Sequence, residues 1–246
     1  MSDQSVQRLS FSEALIELKG KQKTSKGAPA YSLLVNRRLG RFFAAVAYVL
    51  RRTPNQVTAL SGLCSFTAIV MIAAMDPTPA SSVLVCLLLV VGYALDAADG
   101  QLARLQGGGS VSGEWLDHVV DAIKIVTLHL AVLINWYRFS ATTDLRLLVP
   151  LVFTAVSAVT FFVIILNDQI RRAQRHTTEM LLQGEGKSSR LYSLAVMPTD
   201  YGLLCLVFVA LFWQSGFFWM YSALMAASLI FLALALVKWF REMSRY

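Results

Sequence analysis

Charged residues are scarce in this sequence of 246 residues: Asp, Glu, Lys and Arg make up 15% of it, whereas 56% is hydrophobic. A soluble domain of this length exposes more polar surface than that, so the composition argues against one or two soluble domains. The formal net charge is nevertheless +7. Its basic residues flank apolar segments and form no single stripe, which argues against a nucleic-acid partner and favours a membrane protein.

Cysteine is also rare. Cys64, Cys86 and Cys205 lie inside apolar runs without the spacing of a zinc site, so we expect buried, unreactive thiols. The first 30 residues lack an apolar core of the length that a signal peptide needs. We therefore expect membrane insertion to begin with the first transmembrane helix.

Long apolar runs separated by short polar breaks predict an all-α, polytopic membrane protein. A glycine run at 107–109 separates the second and third helices, and we interpret it mainly as a hinge because no lysine follows it as in a P-loop. A longer polar segment is predicted at 168–200. The six predicted transmembrane helices cover residues 56–75, 80–104, 113–137, 145–167, 201–214 and 217–239.

Two segments precede the first predicted span. Residues 1–30 are polar and predict a flexible or loosely helical cytoplasmic arm, with room for a short helix around 11–19. Residues 31–52 place apolar side chains on one helical face and five arginines on the other, which predicts an interfacial helix on the cytoplasmic leaflet. An ordinary packed amphipathic helix is the alternative. Residues 53–246 then form the six-helix membrane domain.

The distribution of basic residues predicts the orientation. The N-terminal region, the connector after Arg104, the 168–200 segment and the C-terminal tail carry most of them, whereas the opposite loops hold only Arg138 and Arg146. The positive-inside rule places both termini in the cytoplasm. We expect a multi-pass protein of the cell membrane.

Four aspartates interrupt the apolar pattern where the second and third helices meet their connector. At about 100° per residue, Asp96 and Asp99 share one helical face, and Asp117 and Asp121 share a face of the next helix. Each carboxylate costs roughly 2.5–3.5 kcal/mol in a membrane span, and Arg104 and Lys124 alone cannot balance four of them. Carboxylate oxygens predict Mg²⁺ or Mn²⁺, whose natural partner is a phosphate.

Residues beside the aspartates suit a phosphate ligand. Arg104 lies one turn beyond Gly100 and offers a fork of donors, while Gly100 and Gly113 have no side chain to block a bulky ligand. Lys124 shares the face of Asp121, and two interpretations stay open: it pairs with a carboxylate, or it contacts substrate phosphate.

The order Asp96-x2-Asp99-Gly100-x2-Ala103-Arg104-x8-Gly113-x3-Asp117-x3-Asp121 resembles the signature of the class-I CDP-alcohol phosphatidyltransferases, also called CDP-alcohol phosphotransferases. All eight fixed positions of that signature are present. The resemblance implies transfer of a phosphatidyl group from a CDP-alcohol to the hydroxyl of an acceptor alcohol, with release of CMP, in phospholipid biosynthesis. The length and six predicted spans favour CDP-diacylglycerol as the donor. A homodimer is also implied.

The resemblance further implies roles for individual residues. Asp121 would be both a metal ligand and the base that takes the proton of the acceptor hydroxyl. Asn55 and Thr58 resemble the sequence that lines the nucleotide site before the first span, although a plain turn and cap is equally consistent. The implied metal ligands are Asp96, Asp99, Asp117 and Asp121, and the implied CDP contacts are Asn55, Thr58, Asp99, Gly100, Ala103, Arg104, Gly113 and Asp117.

The acceptor is left open. Candidate contacts to the acceptor or its phosphate are Lys124, Asn167, Arg171, Arg175 and Arg190. The arginines equally fit a charge run that sets orientation. Family branches with phosphorylated acceptors often carry an arginine just before the fifth span, and Pro198-Thr199-Asp200-Tyr201 departs from that pattern.

Other functions remain as alternatives. A CDP-linked polar alcohol could be the donor to a lipid acceptor. An Asp/Mg²⁺-dependent membrane prenyltransferase would need two separate acid motifs and more than six spans. A cation transporter would favour acids spread along the membrane depth, a pattern that this sequence lacks.

Overall fold

The computed structural model describes residues 9–22, 29–140, 144–175, 193 and 196–245. Helices account for the architecture, and no strand occurs among these residues, so the all-α prediction is confirmed. The elements are α1 (Phe11–Gly20), a π-helical turn (Ser32–Asn36) that continues into α2 (Arg37–Val49), α3 (Pro54–Ala74), α4 (Pro79–Leu105), α5 (Val111–Phe139), α6 (Asp144–Arg175), α7 (Tyr201–Val207) and α8 (Gln214–Met243).

Local capping sets the starts of the central helices. The Thr53 hydroxyl accepts a hydrogen bond from the Gln56 backbone N–H at 3.3 Å, and the Gln56 side chain accepts from the Thr53 N–H at 3.1 Å. Thr78 makes the same kind of capping box at the start of α4, and a proline follows each cap. Ser110 caps α5 by accepting from the Gly113 N–H at 3.0 Å.

Five helices are long and apolar enough to cross a membrane: α3, α4, α5, α6 from Leu145 and α8. The chain is therefore a multi-pass membrane protein. The predicted fifth span is shorter than expected, because α7 and the 3₁₀ turn after it form an apolar helix over Tyr201–Ala210 only. At about 1.5 Å per residue that segment covers roughly half of a 30 Å hydrocarbon core. The described residues thus contain five candidate spans, and a sixth span remains a prediction.

The fourth helix is longer than the sequence predicts. Instead of ending at residue 167, α6 continues to Arg175, so the first eight residues of the predicted polar segment are helical. The side chains that extend it are ion-paired, Asp168 with Arg172 and Arg171 with Glu242. Residues 176–192, which include Arg190, lie outside the described part of the chain.

The main apolar cluster joins α3, α4, α5 and α6 to α7 and α8. Its fully buried side chains include Leu89, Leu128, Val132, Phe208, Phe217 and Tyr221. Cys86 and Cys205 belong to it and are free thiols, as expected, while Cys64 is half-buried. This cluster fixes the relative positions of α4 and α5, the two helices that carry the aspartates.

A second cluster holds the N-terminal helices against α4. Gly40 lets the α2 backbone approach closely, since a Cβ there would lie 2.9 Å from the Ala97 Cβ. On the other face of α2, Leu39 and Phe42 are exposed. The predicted amphipathic helix is therefore present within 31–52, and it packs on α4 through small residues. Its location at a membrane surface remains a prediction.

Candidate metal centre

Three of the four aspartates converge between α4 and α5. Asp96 on α4 and Asp117 and Asp121 on α5 each offer one carboxylate oxygen, and these oxygens all lie within 4.8 Å of one another. The three residues are half-buried. Partly dehydrated oxygen donors at this separation are the ligands that a hard divalent cation prefers. The predicted meeting of the two acidic faces is thus present.

Asp99 lies at the edge of this group. It is buried, and its Oδ2 accepts a hydrogen bond of 2.5 Å from the Thr58 hydroxyl. Thr58 also lies 3.1 Å from the Pro54 carbonyl oxygen one turn earlier in α3. The start of α3 therefore positions an aspartate of α4. Thr58, predicted as a nucleotide contact, touches the acidic site through Asp99.

Lys124 is the cation of the cluster. Its ammonium lies 2.9 Å from Asp96 Oδ1 and 2.5 Å from Asp121 Oδ1, and its side chain is 3% exposed. Of the two interpretations left open by the sequence, pairing with carboxylates is the one that the structure shows. One ammonium neutralises at most one of the four negative charges, so the site keeps a negative charge that a divalent ion could balance. Tyr201 closes this side, with its ring centroid 5.7 Å from Lys124 Nζ.

Arg104 and Gly100 occupy the last turns of α4. The Arg104 Nε donates a hydrogen bond to the Lys21 carbonyl oxygen at 2.9 Å. A Cβ added at Gly100 would have Arg104 Nη1 as its neighbour at 3.5 Å and nothing else within 4 Å. Space for a ligand is therefore open above Gly100, beside the guanidinium. Ala103 is buried, and its carbonyl accepts from the Gly108 N–H at 2.9 Å in the connector.

Gly113 and Asn55 face each other where α3 and α5 begin. A Cβ at Gly113 would lie 2.9 Å from Asn55 Oδ1 and 3.0 Å from Ser110 Oγ. A side chain at 113 would displace Asn55 or the cap of α5. The structure thus brings Asn55, which is exposed, to the start of the helix that carries Asp117 and Asp121.

Apart from Lys124, the predicted acceptor residues divide into three groups. Arg171 is committed to Glu242 of α8 by two parallel hydrogen bonds of 2.8 and 2.9 Å. Asn167 is buried, and its side-chain Nδ2 has no hydrogen-bond partner among the described residues. The Arg175 side chain and Arg190 lie outside the described residues. Asn167 is therefore the described candidate with an unused donor.

Sequence reasoning missed the acids that pair with the arginines of α6. Arg172 contacts Glu114 at 2.7 Å and Asp168 at 2.7 Å. The four-residue spacing of Asp168 and Arg172 signals that pair, whereas Glu114 and Glu242 are distant in the sequence.

Asp200 was also missed as a structural residue. It caps α7 by accepting from the Gly202 N–H at 2.8 Å, and its other oxygen accepts from the Ser32 N–H at 2.9 Å. Burial raises the pKa of its carboxyl above the ordinary value, and the hydrogen bonds oppose that shift. Asp200 thus ties the start of α7 to the N-terminal helices. This structural role accounts for an acid just before the fifth predicted span, where some family branches carry an arginine.

Comparison with known proteins agrees with the signature. The family model described as CDP-alcohol phosphatidyltransferase matches residues 51–239, which is 189 of the 246 residues. The match contains all the aspartates of the site and begins just before α3. No curated protein matches the chain in a sequence search.

Proposed function

Since the chain belongs to the CDP-alcohol phosphatidyltransferase family, and is thus a membrane phosphotransferase, we propose that its donor is CDP-diacylglycerol. It moves the phosphatidyl group to the hydroxyl of an acceptor alcohol and releases CMP. The observation that carries this proposal is the convergence of Asp96, Asp117 and Asp121 within 4.8 Å, next to open space above Gly100.

The family uses a divalent metal with an aspartate cluster, and the donors in this chain fit one. We assign Asp96, Asp99, Asp117 and Asp121 as the residues that hold Mg²⁺ or Mn²⁺. When bound, the ion neutralises the diphosphate and stabilises the leaving CMP. Asp99 offers the ion fewer free oxygens than a carboxylate without such a contact, because the Thr58 hydroxyl already binds its Oδ2.

Asp121 is the proposed base. The acceptor oxygen forms a bond to the phosphorus that bears the diacylglycerol, the bond from that phosphorus to the CMP oxygen breaks, and the acceptor proton passes to Asp121. Lys124 engages Asp121 through one oxygen, Oδ1, so the other oxygen is the one assigned to the proton. The chain needs no covalent intermediate, because positioning and charge supply the catalysis.

The proposed nucleotide contacts lie on the helices that carry or adjoin the aspartates. Arg104 would bind the diphosphate through its Nη donors, with the bare backbone at Gly100 allowing close approach. Asn55 would reach the nucleotide from the start of α3. The remaining proposed contacts are Thr58, Asp99, Ala103, Gly113 and Asp117.

The acceptor site is proposed at the cytoplasmic end of α6. Asn167 has an unused donor that suits a polyol hydroxyl. Arg171 is held by Glu242, which favours an acceptor without a phosphate over one that would need this guanidinium. Lys124, Arg175 and Arg190 stay candidates.

The family match supersedes the prenyltransferase and transporter alternatives. The choice between a CDP-linked lipid and a CDP-linked polar alcohol as donor remains for experiment. We also propose six spans, with α7 contributing to the short one, an interfacial α2, cytoplasmic termini, a location in the cell membrane and a homodimer.

A product screen tests the proposal. Purified protein receives Mn²⁺, CDP-diacylglycerol and a panel of alcohols that includes inositol, inositol phosphate, glycerol phosphate and serine, and mass spectrometry identifies new lipids. Equimolar CMP and a phosphatidyl product support the proposal. A second arm supplies CDP-linked polar alcohols with diacylglycerol, and turnover in that arm alone would reverse the donor assignment.

A further inference from the structure

The N-terminal helix α1 lies outside the residues that the family model matches, yet it reaches the site. The carbonyl of Lys21, the C-cap residue that directly follows α1, accepts the Nε hydrogen bond of Arg104 at 2.9 Å. We infer that the end of α1 positions Arg104 and is thereby part of the phosphate-binding site. The inference rests on the proposed function, in which Arg104 binds the diphosphate.

α1 is a well-defined helix whose start is fixed by its own sequence. Ser10 and Glu13 form a capping box, with the Ser10 N–H donating to Glu13 Oε2 at 2.7 Å. Glu17 and Lys21 form an ion pair of 3.0 Å across the last turn. The predicted short helix around 11–19 is therefore present, and its last turn presents a defined carbonyl.

Apolar contacts hold α1 on α2 and α4. Ala14 and Leu18 are both 0% exposed and belong to the cluster that includes Ala45 and Leu102. The rings of Phe11 and Phe42 meet edge to face, with centroids 5.8 Å apart. The predicted loose arm is thus, over α1, a packed element of the bundle.

Gln22 binds the end of α1 to Gln101 of α4, three residues before Arg104. Its Nε2 lies 2.7 Å from the Leu18 carbonyl oxygen and 2.8 Å from Gln101 Oε1. Gln101 is buried and in turn donates to the Arg37 carbonyl oxygen at 3.3 Å. The Lys21 carbonyl, which lies between Leu18 and Gln22 in sequence, is held at both sides.

This arrangement leaves the useful donors of Arg104 available. A guanidinium has five N–H donors, and the Lys21 carbonyl takes the one on Nε. Among the described residues, Arg104 makes no other hydrogen bond, so its four Nη donors can form the two-pronged contact that phosphate favours. Because the guanidinium is planar, the hydrogen bond that holds its Nε also sets the plane of the Nη donors.

A double-mutant cycle tests the inference. Calorimetry measures the binding of CDP, which carries the diphosphate, in the presence of Mn²⁺. The proteins compared are the full chain, Gln22→Ala with and without Leu18→Ala, Arg104→Gln, and the combinations. We expect Arg104→Gln to weaken CDP binding by about tenfold or more. The α1 substitutions should weaken CDP binding by about threefold to tenfold when Arg104 is present, and should leave it unchanged in the Arg104→Gln background, because coupled sites are non-additive.

The controls separate positioning from general support of the fold. Ile16→Ser alters the exposed face of α1, where the side chain is 73% exposed, and should leave CDP binding unchanged. Mn²⁺ binding should be unchanged in the α1 variants, because the proposed ligands lie on α4 and α5. Equal losses of CDP binding in both backgrounds, no loss at all, or a parallel loss of Mn²⁺ binding would overturn the inference while leaving the family activity in place. A wild-type chain that binds neither CDP nor Mn²⁺ would instead refute the proposed function, and the inference with it.

Discussion

Two of the buried polar groups of this helical bundle lie in different parts of α5 and differ in charge. In the main apolar cluster, His129 lies 2.6 Å from the Tyr221 hydroxyl and 3.0 Å from Ser157 Oγ. In the metal centre, Lys124 lies between Asp96 and Asp121. The first group contains no carboxylate, lysine or arginine and is satisfied by the protein, whereas the second keeps more carboxylates than cations. A satisfied polar group supports folding, and an unbalanced one marks where a ligand binds.

The same contrast appears near each group. Asn135 donates to the Ile72 carbonyl at 2.8 Å and so closes the C-terminal end of α3. At the other end of α3, Thr58 binds Asp99 but adds no charge. Removing a residue from the satisfied region should therefore lower stability, and removing a carboxylate from the acidic region should lower activity or metal binding.

The largest expected effect is on turnover. Asp121→Asn keeps the shape and a hydrogen bond to Lys124 but removes the proposed base, so kcat should fall by about 10²- to 10⁴-fold. Calorimetric binding of CMP should stay close to that of the wild type. Turnover at the wild-type rate would refute the base assignment.

Lys124 allows a direct test of the charge difference between the two regions, because its ammonium is the cation that pairs with Asp96 and Asp121. Lys124→Met leaves Asp96 and Asp121 without their ammonium, and we expect the metal-free protein to lose about 3–5 kcal/mol of unfolding free energy. Mn²⁺ should restore much of the loss. Lys124→Arg, which keeps the charge, is the matched control, and a Lys124→Met protein as stable as the wild type without metal would contradict the account. Thermal unfolding in detergent with and without Mn²⁺ provides the measurement.

His129→Leu examines the satisfied region. It leaves the buried Tyr221 hydroxyl without its partner, and the free energy of unfolding should fall by about 1–3 kcal/mol. The specific activity of the folded fraction should be unchanged. Ser157→Ala should cost less, about 0.5–1.5 kcal/mol. A His129→Leu protein with full stability but lost turnover would reverse the distinction between the two regions.

The smallest effect is expected at Asp200, a buried carboxyl bound by two backbone N–H groups. Because its pKa in the folded protein is raised by burial, its ionisation opposes folding: stability is highest below the unfolded pKa and falls as the pH rises through the folded pKa. Asp200→Asn removes this pH-dependent loss and keeps one oxygen to accept from the Gly202 N–H. Its amide nitrogen does not accept from the Ser32 N–H, and the cost of that lost bond does not depend on pH. The melting temperature of Asp200→Asn relative to wild type should rise between pH 4 and pH 8, and a pH-independent difference would count against the raised pKa.

The sequence was most informative where structure is local. Thr53, Thr78 and Ser110 start helices through contacts within three residues, and these boundaries agree with the prediction to within a few residues. The aspartate faces follow from helical geometry alone. Both kinds of prediction depend on spacing that can be counted along the chain.

Long-range contacts were the part that spacing could not supply. α6 extends past residue 167 in a turn whose Arg171 pairs with Glu242, 71 residues away. Arg104 meets the Lys21 carbonyl 83 residues earlier. The change from α-helix to a 3₁₀ turn at Phe208, where α7 ends, was likewise not predicted from hydropathy. The two long-range contacts depend on how helices distant in sequence pack together.

Direct metal binding tests the central claim, that α4 and α5 converge to hold a divalent ion. Electron paramagnetic resonance of free Mn²⁺ measures binding to the wild type, to Asp117→Asn and to Glu114→Gln, whose carboxylate pairs with Arg172 outside the three-oxygen group. We predict saturable binding to the wild type and to Glu114→Gln, and its loss in Asp117→Asn. Equal Mn²⁺ binding by all three proteins, or none by the wild type, would contradict the claim.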